Sequence, residues 1–440
     1  MALSIVKIDR LPLGRRILRS GCTGRDVIEL QKQLNQAGFY FGKQDGVFGI
    51  LMGEAVTMFQ KTFHLKVDGV AGREVLNTLE KNGLTKGRII YRVEKNEELG
   101  KISERFGVKK FAWRRIPGQG NPYKKIYPGL KMLLHQKAFF CWDTPDRIEH
   151  NLVNGSPNPS PASITGLLCR GYQLETDGGL KQPALQSTKT KNFYYPIGAQ
   201  GDVWPKILAS SEIWPRLVTE LKKMMGLKFG FDLREAPLNK IIYWKRFLKF
   251  ICCNLNLPEL TFLMLPLPVG TKIENRLYWL NIHAICAWAR HIMIEPRYNM
   301  ENPLQFERTA AHIFKELRHL EKAGLAEKTL IISQAAGWDW NVDRNCHKKV
   351  SYKVAKLIRA QYPRVGRYSS GSKCTMLNYL KNNEHHCLIY RDEAGWLDFF
   401  TKVIERNLAG VVITDFNHLG KSGPEIISGS FKVIEEENFG

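Results

Sequence analysis

From about residue 163 to the C-terminus, short apolar segments alternate with longer stretches of helical period. This alternation constrains the fold more than any other feature of the chain. Candidate strands lie at 166–170, 192–196, 228–234, 261–267, 290–295, 329–334, 386–390 and 410–415, with helices such as 213–225, 239–254, 303–323, 351–361 and 395–407 between them. Alternation over about 265 residues suits an α/β barrel of the (β/α)8, TIM type, which needs ~250 residues. An open doubly wound sheet is the fold alternative, but no glycine-rich phosphate loop supports it.

Ahead of this region the pattern becomes purely helical. Thr23-Gly24-Arg25-Asp26 reads as a capped helix start, with Val27, Leu30 and Leu34 at helical spacing, and Ala37-Gly38 stops the helix. The turn Asp45-Gly46-Val47-Phe48-Gly49 precedes a second amphipathic helix carrying Ala55, Val56, Phe59 and Phe63. A near-copy, Asp68-Gly69-Val70-Ala71-Gly72, follows 23 residues later and leads into a third short helix. In each copy glycine permits backbone angles closed to other residues, and the Asp can close the turn with its side chain. The string over 18–84 resembles the three-helix, all-α peptidoglycan-binding domain of bacterial wall hydrolases. The resemblance implies peptidoglycan as a partner, with Asp45, Phe48 and Asp68 as candidate glycan-binding residues.

Residues 88–137 read as a small α+β unit. Ile89-Ile90-Tyr91-Arg92-Val93 is an alternating strand, 98–106 a short helix with Leu99, Ile102 and Phe106 on one face, and Ile126-Tyr127-Pro128-Gly129-Leu130 a turn into a closing strand. This order resembles a LysM module, a βααβ unit that grips N-acetylglucosamine-containing glycans. Asn96 and Glu97 stand where that family has glycine and aspartate. Trp113, Tyr123 and Tyr127 could stack on sugar faces or pack in the core. A linker is expected at 144–163, where Pro, Ser and Asn cluster without apolar period.

The barrel region, 164–430, resembles glycoside hydrolase family 18 domains of spore-cortex and cell-wall lytic proteins. The likeness is carried by Thr329-Leu330-Ile331-Ile332 with Gly337-Trp338-Asp339-Trp340, by Leu388-Ile389-Tyr390-Arg391-Asp392, and by Gly410-Val411-Val412-Ile413. It implies chitin-like or peptidoglycan glycans as substrate, with Trp338, Trp340 and Tyr390 as candidate sugar contacts, and no cofactor or metal. Members of that family cleave beside N-acetylated sugars by substrate-assisted catalysis, outside the two-carboxylate scheme. A Glu ending the fourth strand donates the proton, and an Asp two residues before it positions the substrate acetamide.

Here the fourth strand reads Lys228-Phe229-Gly230-Phe231-Asp232-Leu233-Arg234-Glu235-Ala236-Pro237. One register points Gly230, Asp232 and Arg234 into the barrel, puts Ala236 at the catalytic Glu and Arg234 at its Asp partner. The other keeps Glu235 as the acid but turns Asp232 and Arg234 toward the apolar helix layer, where unpaired charge is costly. A bulge after Arg234 could rescue Glu235. On the sixth strand Glu295 replaces the family Tyr, and on the last strand Thr414, followed by Asp415, replaces the family Trp. Two readings stay open: a barrel that has lost hydrolysis and keeps glycan binding, or a rearranged enzyme using Glu235, with Asp232, Glu295 or Asp415, as acid and base.

Charge narrows the partners. The chain has 65 Lys+Arg against 42 Asp+Glu, a formal net charge of +23, and residues 1–137 hold 26 of those bases against 12 acids. Such a surface attracts polyanions, including anionic wall polymers. Nucleic acid is the competing partner, but no helix-turn-helix, zinc finger or aromatic–basic motif accompanies the charge. Nine scattered cysteines contain no C-x-x-C pair, so neither a disulfide framework nor a zinc ribbon is indicated. Residues 1–16 show no apolar core of signal-peptide length, and no run approaches the ~18 apolar residues of a membrane span. Wall or spore association would then follow synthesis in the cytoplasm, for a spore in its mother cell.

Overall fold

The computed structural model describes residues 11–36, 39–40, 44–63, 65–82, 88–116, 125–142, 165–169, 171–182, 193–267, 272–363, 366–415 and 423–434. The chain forms two compact units, residues 1–137 with 427–440, and residues 138–426.

In the first unit three helices, Arg25–Gln36, Ile50–Thr62 and Arg73–Asn82, follow the periodicity of the sequence. Val27, Leu30, Leu34, Val56 and Phe59 are all fully buried. Both repeated turns are tied back to the chain before the first helix, through bridges Thr23 to Val47 and Leu18 to Ala71. The strand Arg88–Arg92 pairs antiparallel with the strand Lys131–Trp142, and Trp113–Arg115 pairs with the same strand. The helix Leu99–Arg105 covers this small sheet through the buried Ile102.

The two small modules expected here share one hydrophobic core that runs from Leu18 to Leu134. Phe63 of the helical part stacks on Tyr91 at 6.1 Å, and Tyr91 continues to Phe106 at 5.5 Å. A segment of some 60 residues buries only about 60% of the surface its unfolded chain exposes, and pooling two such segments raises that share. The C-terminal Lys432–Val433 adds a parallel strand beside Gln136 and Lys137, so the end of the chain belongs to this unit.

The second unit is a closed barrel of eight parallel strands, described in chain order. Residues 138–142 form the first strand, followed by Gly166–Leu168, Phe193–Gly198, Lys228–Asp232, Leu260–Pro266, Ala289–Glu295, Thr329–Gln334 and Gly410–Thr414, and the eighth pairs back onto the first. The barrel therefore opens ahead of residue 164. Its first strand, Ala138-Phe139-Phe140-Cys141-Trp142, continues a run already read as the closing strand of the preceding module. The linker expected at 144–163 lies outside the described residues.

The segment 386–390, expected as a barrel strand, sits elsewhere. Between the seventh and eighth barrel strands the chain builds a five-stranded antiparallel sheet, ordered Cys346–Val350, Gly337–Asn341, Glu384–Tyr390, Cys374–Lys381 and Gly366–Ser369. The helix Tyr352–Gln361 covers one face through Tyr352 and Ala355. An apolar strand buried on both faces reads alike in a barrel and in a covered sheet, because the pairing partner is not written locally.

Candidate functional site

The fourth barrel strand settles its own register. Phe229, Phe231 and Leu233 are buried, and Phe231 packs against Trp204 at 5.7 Å and Phe247 at 5.5 Å on the flanking helices Val203–Ala209 and Ile241–Asn254. Alternation sends Gly230, Asp232 and Arg234 to the opposite, interior side. The chain then turns at once, with Ala236 N donating to Leu233 O at 3.1 Å. That turn carries Glu235 outward: its side chain is 74% exposed, and its ion-pair partner is Arg297 at 3.2 Å.

At the mouth, Arg234 joins two of the candidate carboxylates. Its Nε and Nη2 donate to Asp232 at 2.8 and 2.7 Å, and its Nη1 donates to Glu295 on the sixth strand at 2.6 Å. The fork of the guanidinium satisfies Asp232 bidentately, which is the strong form of this contact. Burial works against the charge of Arg234, but the two carboxylates more than offset it and raise its pKa above the ordinary arginine value. The guanidinium also lies 4.8 Å from the ring centre of Trp142. Trp142 pairs laterally with Thr414, the position where the family Trp is expected. An aromatic thus stands at the mouth one strand away, on the strand that sequence reading missed. The signal was the apolar run ending in Trp142.

Asp415 stands apart from this cluster. It adopts a left-handed φ of 54° and pairs with Lys349 of the inserted sheet at 2.9 Å. Lys349 in turn lies 5.9 Å from the ring of Trp338, which is half-buried and meets His347 at 5.3 Å. Trp340 is buried against Phe306, and Tyr390 is buried beside Tyr352, with burial and then Asp392 pushing its phenol up to about 12. Neither ring offers a face to a sugar, which corrects their assignment as glycan contacts. Between the two tryptophans, Asp339 points to the other sheet face and accepts from Tyr379 at 2.9 Å, where it also meets His386 Nδ1 at 3.1 Å.

The candidates in the first unit are likewise spent on structure. Phe48 is 1% exposed and belongs to the core. Asp45 and Asp68 each accept from the backbone N–H two residues on, Val47 and Val70, both at 3.0 Å. A glutamine that sequence reading passed over completes each turn. Gln31 donates to Asp45 at 3.0 Å and accepts from Gly46 N at 2.9 Å; Gln60 donates to Asp68 at 2.8 Å and accepts from Gly69 N at 2.9 Å. The signal was the apolar–Gln pair, Leu30-Gln31 and Phe59-Gln60, ahead of each turn. Trp113 is buried and donates to Ser103 Oγ at 3.1 Å, Tyr123 lies outside the described residues, and Tyr127 is 44% exposed. Among the described residues no group of acidic, His and Cys side chains could hold a metal ion, and no helix is long and apolar enough to cross a membrane.

Residues 23–79 match the family profile of a peptidoglycan binding domain. Over 66 residues the chain is 47% identical to the spore cortex-lytic enzyme of Bacillus cereus, covering 15% of this chain and 26% of that protein. Over 65 residues it is 46% identical to the spore cortex-lytic enzyme of Bacillus subtilis, covering 14% and 21%. The chain thus spans about a quarter of the length of these curated relatives. Among solved structures, the spore cortex-lytic enzyme SleL of Bacillus cereus superposes with a TM-score of 0.58 at 16% identity, covering 82% of this chain and 94% of that one. A chitinase from Chromobacterium violaceum gives 0.54 at 13% identity, covering 67% and 98%. At such identities the likeness is one of fold. Residues 23–79 thus match a peptidoglycan binding domain in sequence, and the second unit has the fold of a TIM-type barrel.

Proposed function

We propose that the protein binds peptidoglycan, or another N-acetylglucosamine-containing glycan, at a bacterial cell wall or spore cortex, and that its barrel holds the strand without cutting it. The observation that carries this reading is the Arg234 clamp: Asp232 and Glu295 both accept from one guanidinium, while Glu235 faces solvent on Arg297. General acid catalysis needs a carboxyl group aimed at the leaving oxygen within hydrogen-bond reach. The residues 88–137 act as a LysM-like second grip on the glycan, and the basic surface of residues 1–137 adds attraction to anionic wall polymers.

The test combines binding with chemistry. The full chain should be retained on purified sacculi and washed from DNA-cellulose at matched salt. Wild type and Glu235→Gln should release reducing ends from peptidoglycan at the same background rate. Cleavage by wild type that collapses in Glu235→Gln would replace this reading with that of an active hydrolase. Retention on DNA alone would remove the wall reading altogether.

A further inference from the structure

Within the first unit a groove of about 850 Å³ opens between the segment at 13–17 and the helices Arg25–Gln36 and Arg73–Asn82. Its apolar floor includes Leu13 and Leu76, both packed against the core. Arg16 is committed to the fold, held by Asp26 at 2.7 Å. Arg15 and Arg73, also lining the groove, are exposed, and no carboxylate pairs with either among the described residues. None of the lining residues is aromatic, and a single acid, the exposed Glu80, stands among them against three arginines.

These features discriminate between the two chemical parts of peptidoglycan. Sugar rings are gripped by stacking on aromatic faces, and the groove has none. Carboxylates are gripped by guanidinium forks, and the groove has two unspent ones over an apolar floor. We infer that this groove takes the carboxylate-bearing peptide stem of peptidoglycan, with Arg15 and Arg73 as its anion contacts, and leaves the glycan to other surfaces. The inference rests on the peptidoglycan-binding reading and names the part of the polymer that the helical domain contacts.

The experiment uses the full chain and sacculi stripped of phosphate polymers, either intact or freed of their peptides by an amidase. A soluble N-acetylmuramyl tetrapeptide, and the same peptide with its carboxyl groups amidated, serve as competitors. Intact sacculi should bind at least about tenfold more tightly than peptide-free glycan, and only the peptide with free carboxyls should compete. Arg15→Gln/Arg73→Gln should lose that advantage and keep the residual affinity for peptide-free glycan, while Arg15→Lys/Arg73→Lys should retain part of it. Equal binding to intact and peptide-free sacculi, or unchanged affinity in the double Gln variant, would overturn the groove assignment alone. Failure to bind either material would overturn the peptidoglycan reading with it.

Discussion

The repeated turns of the helical domain and the mouth of the barrel are both polar clusters closed on themselves, but they are closed by different means. Each turn is completed by an uncharged amide, Gln31 or Gln60, whose carbonyl and NH2 meet fixed backbone groups and one Asp. The mouth is closed by charge, with the Arg234 guanidinium between its near neighbour Asp232 and Glu295, which lies 61 residues beyond Arg234. Repetition of an amide-completed cluster signals a backbone requirement. A charged cluster of this kind balances its own charges, because one guanidinium satisfies both carboxylates.

Three changes probe this contrast, the largest effect first. Gln31 is fully buried, and Gln31→Ala strips the first turn of both partners at once, so the helical unit should lose about 2–4 kcal/mol. Hydrogen exchange resolved by peptide should show the loss in residues 11–82 and spare the barrel; protection lost across the barrel peptides instead would dissolve the distinction.

Arg234→Leu leaves Asp232 and Glu295 without their shared cation. The site is only partly buried, so the barrel should lose about 2 kcal/mol, toward the low end for a broken ion pair. Adding Glu295→Leu should recover part of that loss. A double variant no better than the single one would show that the two carboxylates are not coupled through Arg234.

The smallest effect separates the units by pH. Burial first, then Lys137, Arg114 and Arg88, lower the pKa of His135 from 6.5 to about 4. A depressed histidine contributes stability that is complete above its unfolded pKa and disappears as pH falls through the folded one. The first unit should therefore weaken by about 1–2 kcal/mol between pH 6.5 and 4, after allowance for partial solvent screening. His135→Gln should flatten this dependence in the same exchange measurement; an unchanged slope would place the acid sensitivity elsewhere.

Legibility followed the range of the forces involved. The three helices and both D-G-V-x-G turns are local, fixed by apolar spacing and by glycines at φ 76° and 68°, and they stand where the sequence puts them. The interior side of the fourth barrel strand was also legible as one of two registers, because unpaired charge does not face a helix layer. The roles of Phe48, Trp340 and Tyr390 were not, since exposure depends on which elements come to cover a ring.

The sequence by itself determined the three N-terminal helices, their repeated turns and the basic N-terminal third, all of which are matters of residue identity and short-range period. Only the tertiary structure decided that the two small modules share one core, that residues 138–142 open the barrel, and that Trp142 stands at its mouth. It alone brought Arg234 between Asp232 and Glu295. Those outcomes depend on contacts between residues far apart in the chain, and such contacts leave no periodicity in the residues that make them.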